Sequence, residues 1–294
     1  FGSIEAARSA IRHVTGSNGT PIVPVAYTHR STIAEGLAAI PSRAQRDDPL
    51  VIDQPGRYGI ISDLHFPGHD ETALLTALEW LDRQGVRNLY VNGDAMDCYQ
   101  ISRFNRDPRE PNILAELENM AAFLRIVTEA FDAVWWKLGN HEARLDTLLM
   151  TKAPELIGLP GMSLYEMVCR VAETDFPVTM VDAGRLTKIG LLNVLHGHEF
   201  GASHYSPVNP ARGLFMRSKC STLAGHCHQT SEHHESNVNG DPMACWTTGC
   251  LCDLRPSYSP FAYTRWNHGF AVVETDEDGR FIVSNHRIID GRVH

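Results

Sequence analysis

No apolar run approaches the roughly 18 residues that a membrane-crossing helix needs. The opening segment, FGSIEAARSA, carries charge where a secretory signal requires an apolar stretch. A soluble, cytoplasmic protein without a membrane partner is therefore expected. Basic charge is also scarce, with 26 Lys and Arg against 35 Asp and Glu, a formal net charge of −9. That deficit argues against a protein that holds duplex DNA by neutralising phosphates over an extended surface, while leaving room for a locally cationic pocket. Cysteine is sparse and irregular, seven residues without a framework of spacings, which fits reduced thiols in an intracellular enzyme better than a disulfide scaffold. Internal repeats and low-complexity stretches are missing too, which sets aside repeat architectures. The first residue is Phe1 rather than Met, so a fragment or a processed product is expected.

What is present is hydrophobic bulk and histidine. Hydrophobic residues make up 43% of 294, enough for one large α/β domain or two ordinary ones at roughly 150 residues each. Of 15 histidines, seven (His196, His198, His204, His226, His228, His233 and His234) fall in one stretch, an enrichment that suits a metal centre. Residues 1–50 stand apart. Ser3 can cap a short helix with Ile4, Ala7, Ile11 and Val14 on one face, STIAEGLAAI repeats the pattern, and PSRAQRDDP reads as a linker. The chain is thus expected to divide into an N-terminal helical appendage and linker, 1–50, and a main domain, 51–294.

From Tyr58 onward, short apolar runs alternate with polar loops and amphipathic helices. YGIIS precedes DLHFPGHD, and ETALLTALEWLDRQG then repeats Ala73, Leu74, Ala77, Leu78 and Leu81 at helical spacing until Gly85. VRNLYV leads into NGDAMDCYQ, a helix opening at Pro111 leads to AVWWKL and GNHE, LLNVL leads to HGHEF, and STLA leads to GHCH. The alternation predicts an α/β architecture, followed by a β-rich part with a hairpin turn at Asn239 and Gly240.

Five predicted strands end in metal-ligand residue types: Asp63 and His65, then Asp94, then Asn140 and His141, then His196, then His226 and His228. Open α/β sheets place their sites at the carboxyl ends of strands, so clusters far apart in sequence can converge on one crevice. Read as extended segments, Asp63 with His65 and His226 with His228 would each project to one side. Three donors per ion leave positions open for water, as catalytic sites require, and a shared carboxylate can hold two ions about 3.5 to 4 Å apart. Imidazole mixed with oxygen donors suits Mn, Fe, Zn or Ni.

Taken in order, DLH, NGDAMD, GNHE, HGH and GHCH resemble the motifs of the calcineurin-like metallophosphoesterase superfamily over roughly Tyr58 to Ile289. The resemblance implies a four-layer αββα sandwich, two mixed β-sheets flanked by helices, and makes 51–294 the catalytic domain. It implies that Asp63, His65, Asp94 and His228 bind one divalent metal and that Asp94, Asn140, His196 and His226 bind the other. Asp94 would bridge, and manganese is the first expectation. It also implies His141 as the acid beside the leaving group, Asp97 as its orienting partner, and a hydroxide between the cations as nucleophile. The wider layout, with SRFNRDP, HGHEF, NPARG and WNHGF, resembles phage- or prophage-encoded members, some of which carry an N-terminal DNA-binding module. Residues 1–42 would then be the remnant of one.

Substrate contacts are expected from His198, two residues after His196, and from Arg103, Arg144 and Arg212 near the motif loops, where arginine can clamp phosphate bidentately. Cys227 should alternate away from the ligands on either side of it, Cys250 and Cys252 are read as reduced, partly buried thiols, and Trp135 and Trp136 as core. The helical stretch between GNHE and HGHEF is expected to form a cap over the substrate pocket. Cys98 stands where the protein-phosphatase branch carries an arginine, although the GNHE ending resembles that branch. The expected function is a dinuclear phosphodiesterase whose phosphoester substrate is a nucleotide or a nucleic-acid end. A phosphomonoesterase is the alternative, and a metal-binding adaptor without catalysis is the reading from another class.

Overall fold

A computed structural model describes residues 48–103, 106–201, 208–256 and 263–294, together with Ile33 and Glu35. The chain divides into two units, Phe1–Arg46 and Asp47–His294. In the first, Ile33 and Glu35 are helical; the helix capped by Ser3 and the module reading of 1–42 otherwise lie outside the described residues. No described helix is long and apolar enough to cross a membrane.

The second unit begins β1 (Leu50–Ile52), β2 (Gly56–Ile61), α1 (Glu71–Arg83), β3 (Asn88–Asn92), α2 (Ile113–Ala130), β4 (Ala133–Lys137), α3 (Arg144–Lys152) and α4 (Leu164–Ala172). It continues β5 (Val178–Val181), β6 (Thr187–Ile189), β7 (Leu192–Leu195), α5 (Pro210–Ser218), β8 (Thr222–Ala224), β9 (Ser231–Ser236), β10 (Pro242–Thr247), β11 (His268–Thr275), β12 (Phe281–Ile289) and β13 (Arg292–Val293). Seven strands form one mixed sheet in the order β13-β12-β11-β2-β3-β4-β5, and six form another in the order β1-β6-β7-β8-β10-β9. Within the first, β2, β3, β4 and β5 are parallel neighbours. Within the second, β7, β8 and β10 are.

Alternation along the strands sorts side chains into layers. On β2 and β3, Tyr58, Ile60 and Tyr90 point between the sheets, where they meet Leu192, Val194, Leu223 and Trp246. Ile61, Leu89 and Val91 point the other way, onto Ala77 and Leu81 of α1 and Leu117 and Leu124 of α2. α5 covers the outer face of the six-stranded sheet through Ala211 and Leu214 against Ala224 and Cys245. The result is four layers, helix, sheet, sheet, helix. Trp136 is fully buried on the helix side and Trp135 packs between the sheets, so both belong to the core.

Two expectations change. The helix expected from Pro111 starts at Ile113, because Asn112 caps it by accepting from Ala115 N. The stretch expected to form a cap splits in two. α4 opens on a capping box, Ser163 with Glu166, and buries Leu164, Val168 and Ala172 in the same core as α2, so it is part of the helical layer rather than a lid. Amphipathicity alone could not separate these outcomes, since a helix on a sheet and a helix over a pocket both need one apolar face.

Candidate metal centre

Because β2, β3 and β4 are adjacent and parallel, the loops after them, DLH, NGD and GNHE, lie side by side. β7 and β8, parallel neighbours in the facing sheet, bring HGH and GHCH to the same edge. Hydrogen bonds tie the loops together: Asp63 N donates to Gly93 O (3.1 Å), His65 N to Asp94 O (3.0 Å) and Gly225 N to His196 O (2.8 Å). His141 N donates to Asp94 Oδ1 (2.9 Å) and His226 N to Asp63 Oδ2 (2.9 Å).

These bonds leave one oxygen of each aspartate turned to the imidazoles. Asp94 Oδ2 lies 3.2 Å from His196 Nε2, 3.8 Å from His141 Nε2 and 3.9 Å from His65 Nε2. Asp63 Oδ1 lies 3.1 Å from His228 Nε2, 3.9 Å from His196 Nε2 and 4.0 Å from His65 Nε2. Donor atoms of Asp63, His65 and Asp94, and of Asp94, His196 and His226, fall within 4.8 Å of one another. Asp94 belongs to both groups. Burial opposes charge on both carboxyls, yet His228 beside Asp63 and His196 beside Asp94 outweigh it and hold them well below the usual carboxylate range. Burial likewise opposes charge on His196, but Asp94 and Asp63 push it up to about 10. The pocket therefore attracts positive charge, which a proton or a divalent cation can supply.

The residues fit divalent cations. His196 Nδ1 donates to Asn92 O at 2.7 Å, which turns the Nε2 lone pair inward. That buried Nε2 has no hydrogen-bond partner, and neither has Asn140 Oδ1. At 3.2 Å without hydrogen-bond geometry, His196 Nε2 and Asp94 Oδ2 are placed as neighbouring ligands of one ion are, about 3 Å apart for bonds of roughly 2.0 to 2.2 Å.

One expectation about how the ligands converge is wrong. Asp63 (φ 58°), His65 (φ 52°), Asp94 (φ 51°), His226 (φ 66°) and His228 (φ 57°) all have left-handed backbones. Asp63 with His65, and His226 with His228, are thus gathered by turns and not by alternation along an extended segment. Cys227, between two such residues, donates its thiol to Gln229 O.

Several supporting residues were not foreseen. Glu142, the last residue of GNHE, is buried and accepts from Asp94 N (3.1 Å), Met96 N (3.0 Å) and Gly139 N (2.8 Å), joining two motif loops. Glu199 accepts from His196 N (3.1 Å) and Gly197 N (2.6 Å) and pairs with the fully buried Lys137 at 3.3 Å. Their acidic partners to backbone N–H were visible in the motifs GNHE and HGHEF but carried no signal that told them from ordinary loop acids. Glycine is required where the loops touch. A Cβ on Gly93 would sit 2.5 Å from His196 Nδ1, and one on Gly139 would sit 2.2 Å from Asp94 Oδ1.

His141 Nδ1 lies 2.7 Å from Asp97 Oδ1, and Arg144 reaches both residues, its Nη1 donating to Asp97 O (2.7 Å) and its Nη2 lying 3.0 Å from His141 Nε2. Burial works against an imidazolium here, but Asp94 and Asp97 together raise the affinity of His141 for its proton. His198 sits in a short turn with its ring 5.4 Å from that of His196 and 6.4 Å from that of His226. Arg103 and Arg144 line a cavity of about 490 Å³ with Asn140. Arg212 does not join them: it is exposed on the first turn of α5, and no described contact links it to the centre. Cys250 and Cys252 are free and buried, and Cys252 Sγ lies 3.8 Å from His228 Nδ1. The Trp266 ring packs on His228 at 4.2 Å between centroids, a neighbour that WNHGF gave no reason to choose. On this side a second cavity, about 320 Å³, is lined by His65, Asp97, Tyr99, Pro111 and Trp266 among others.

No family model matches the sequence, and no curated protein does. Among solved structures, the chain is similar to Vacuolar Protein Sorting 29 from Cryptosporidium parvum, at 13% identity and a TM-score of 0.44 over 82% of this chain and 96% of that one. It is also similar to a dimetal phosphatase from Danio rerio, at 13% identity and a TM-score of 0.37 over 80% and 96% of the two chains. YfcE, a phosphoesterase from E. coli, is similar at 16% identity and a TM-score of 0.36 over 78% and 97%. The chain itself has two mixed sheets between helical layers, with five motif loops meeting at one edge.

Proposed function

We propose that the protein is a metal-dependent phosphodiesterase acting on nucleotides or nucleic-acid ends. The observation that carries this reading is the single Asp94 oxygen faced by His65, His141 and His196 within 3.9 Å. Asp63, His65, Asp94 and His228 are suited to hold one divalent cation, and Asp94, Asn140, His196 and His226 a second, with manganese the first expectation. Such a pair, when bound, lowers the pKa of water and stabilises charge on a phosphoryl group in transfer.

The protein's own groups supply orientation and a proton. Asp97 accepts from His141 Nδ1 and fixes the ring, so that Nε2 faces the centre. A proton on Nε2 can then pass to the departing ester oxygen. Arg144 Nη2 holds that nitrogen in the present arrangement, so the guanidinium must turn toward an incoming phosphate, where its fork suits two oxygens. Arg103 lines the cavity on the Asn140 side, and His198 lies beside His196. The flat walls of Tyr99, Pro111 and Trp266 beside Asp97 suit a nucleobase on the leaving group.

Protein loaded with Mn(II) should hydrolyse bis(p-nitrophenyl) phosphate faster than p-nitrophenyl phosphate. The reverse preference would overturn the diester assignment in favour of a monoesterase, and inactivity toward both in metal-loaded protein would favour the non-catalytic adaptor.

A further inference from the structure

We propose that the cleft on the Asn140 side of the centre is a subsite for a second, non-scissile phosphate of the substrate. The proposal rests on the phosphodiesterase reading above and specifies the substrate further. The cleft has a volume of about 490 Å³, and Arg103, Arg106, Arg144 and Lys152 all line it, while none of its described lining residues carries a carboxylate. In a chain with a net charge of −9, four cationic side chains around one cavity need a reason.

Local structure assembles them. α3 places Arg144, Thr147 and Thr151 on one face at helical spacing, with Lys152 next to them in the last turn. Arg103 and Arg106 come from the opposite wall, after the short turn Tyr99–Ile101, and Arg106 Nη1 donates to Gln100 O at 2.6 Å, which anchors its guanidinium. Thr147 and Thr151 give their hydroxyl protons to Ala143 O and Thr147 O within the helix. Recognition in this cleft therefore falls to the cations.

A scissile phosphate between Asp94 and His141 would be matched by the metal pair and Arg144. The charge of Arg106 and Lys152 lies beyond what that group needs. The opposite cavity has the contrary character, with Asp97, Glu110, Glu116 and Asp253 among aromatic and proline walls. A substrate crossing the centre would thus put an anionic arm along α3 and a neutral base toward Trp266. Asp97, which holds His141 Nδ1, lines the Trp266 side, and with a neutral leaving group on that side the retained arm carries the further phosphate. Such a substrate is an oligonucleotide end or a bisphosphorylated nucleotide.

Thymidine 5′-(p-nitrophenyl phosphate) can be compared with and without a 3′-phosphate, alongside the isomer pair with the ester at the 3′ position and the added phosphate at the 5′ position. In at least one pair the added phosphate should lower KM about tenfold with little change in kcat, as uniform binding does. Arg106→Ala and Lys152→Ala should each erode that advantage, and Lys152→Glu should reverse it. No advantage in either pair, or an advantage untouched by these variants, would overturn the subsite. Failure to hydrolyse any of the four esters would instead overturn the phosphodiesterase reading beneath it.

Discussion

Asp97 and Arg144 pull the His141 proton in opposite directions, the carboxylate favouring the imidazolium and the guanidinium opposing it. If this balance serves leaving-group protonation, His141→Ala should keep both metals and lose rate in proportion to leaving-group pKa, by about 10² to 10⁴ for an alkyl leaving group and much less for p-nitrophenol. Equal losses across a leaving-group series would remove the residue from that role. A second residue makes a stability statement. Burial pushes Glu116 up from 4.5 to about 7, against the N–H groups of Cys98 and Tyr99 that it accepts. Its folded pKa is raised, so its contribution is complete below the unfolded value and is lost as pH rises through the folded one. The stability of the wild type relative to Glu116→Gln should accordingly fall by roughly 3 kcal/mol between pH 4.5 and about 7, read from urea midpoints; a flat difference would contradict it. Glu116 shows why some residues escape sequence reading. Asp63 or His196 declares itself by residue type at a strand end, whereas a glutamate that accepts buried N–H groups looks like any helix glutamate until its partners are known.

At the scale of elements, strand and helix order was legible from apolar periodicity, and so was the meeting of five loops, because parallel strands put their carboxyl ends on one edge. The backbone inside those loops was not legible. Left-handed φ at Asp63, His65, Asp94, His226 and His228 departs from what those residue types favour, and the conformation is imposed by bonds between loops. β1 was also missed: three residues, Leu50–Ile52, become a strand only because β6 is there to pair with. Glu142 is the strongest of the inter-loop ties. Glutamine in its place would turn an NH₂ toward at least one of the three N–H groups it now accepts. Glu142→Gln should therefore destabilise the fold by about 1 to 3 kcal/mol and weaken manganese binding about 10- to 100-fold, as seen by urea unfolding and calorimetric titration. Wild-type values in both would show that the glutamate is not a tie.

For the molecule as a whole, the left-handed ligands set the direction of change when the chemistry is lost. Each such residue costs on the order of 1 kcal/mol or more relative to a right-handed backbone, a cost that the bonds between loops offset and that a bound cation would offset further. His226 is the clearest case, since burial and then His196 hold it down at about 4 and so neutral. Metal-free His226→Asn, whose new side chain tolerates φ 66°, should melt no lower than the metal-free wild type. Saturating manganese should raise the Tm of the wild type well above that of the variant. A metal-free variant that melts several degrees lower would show that the backbone carries no strain there. If the order holds, selection has to keep this centre in place against a standing thermodynamic pull, and relaxed selection would leave a lineage one substitution away from a sturdier, silent descendant.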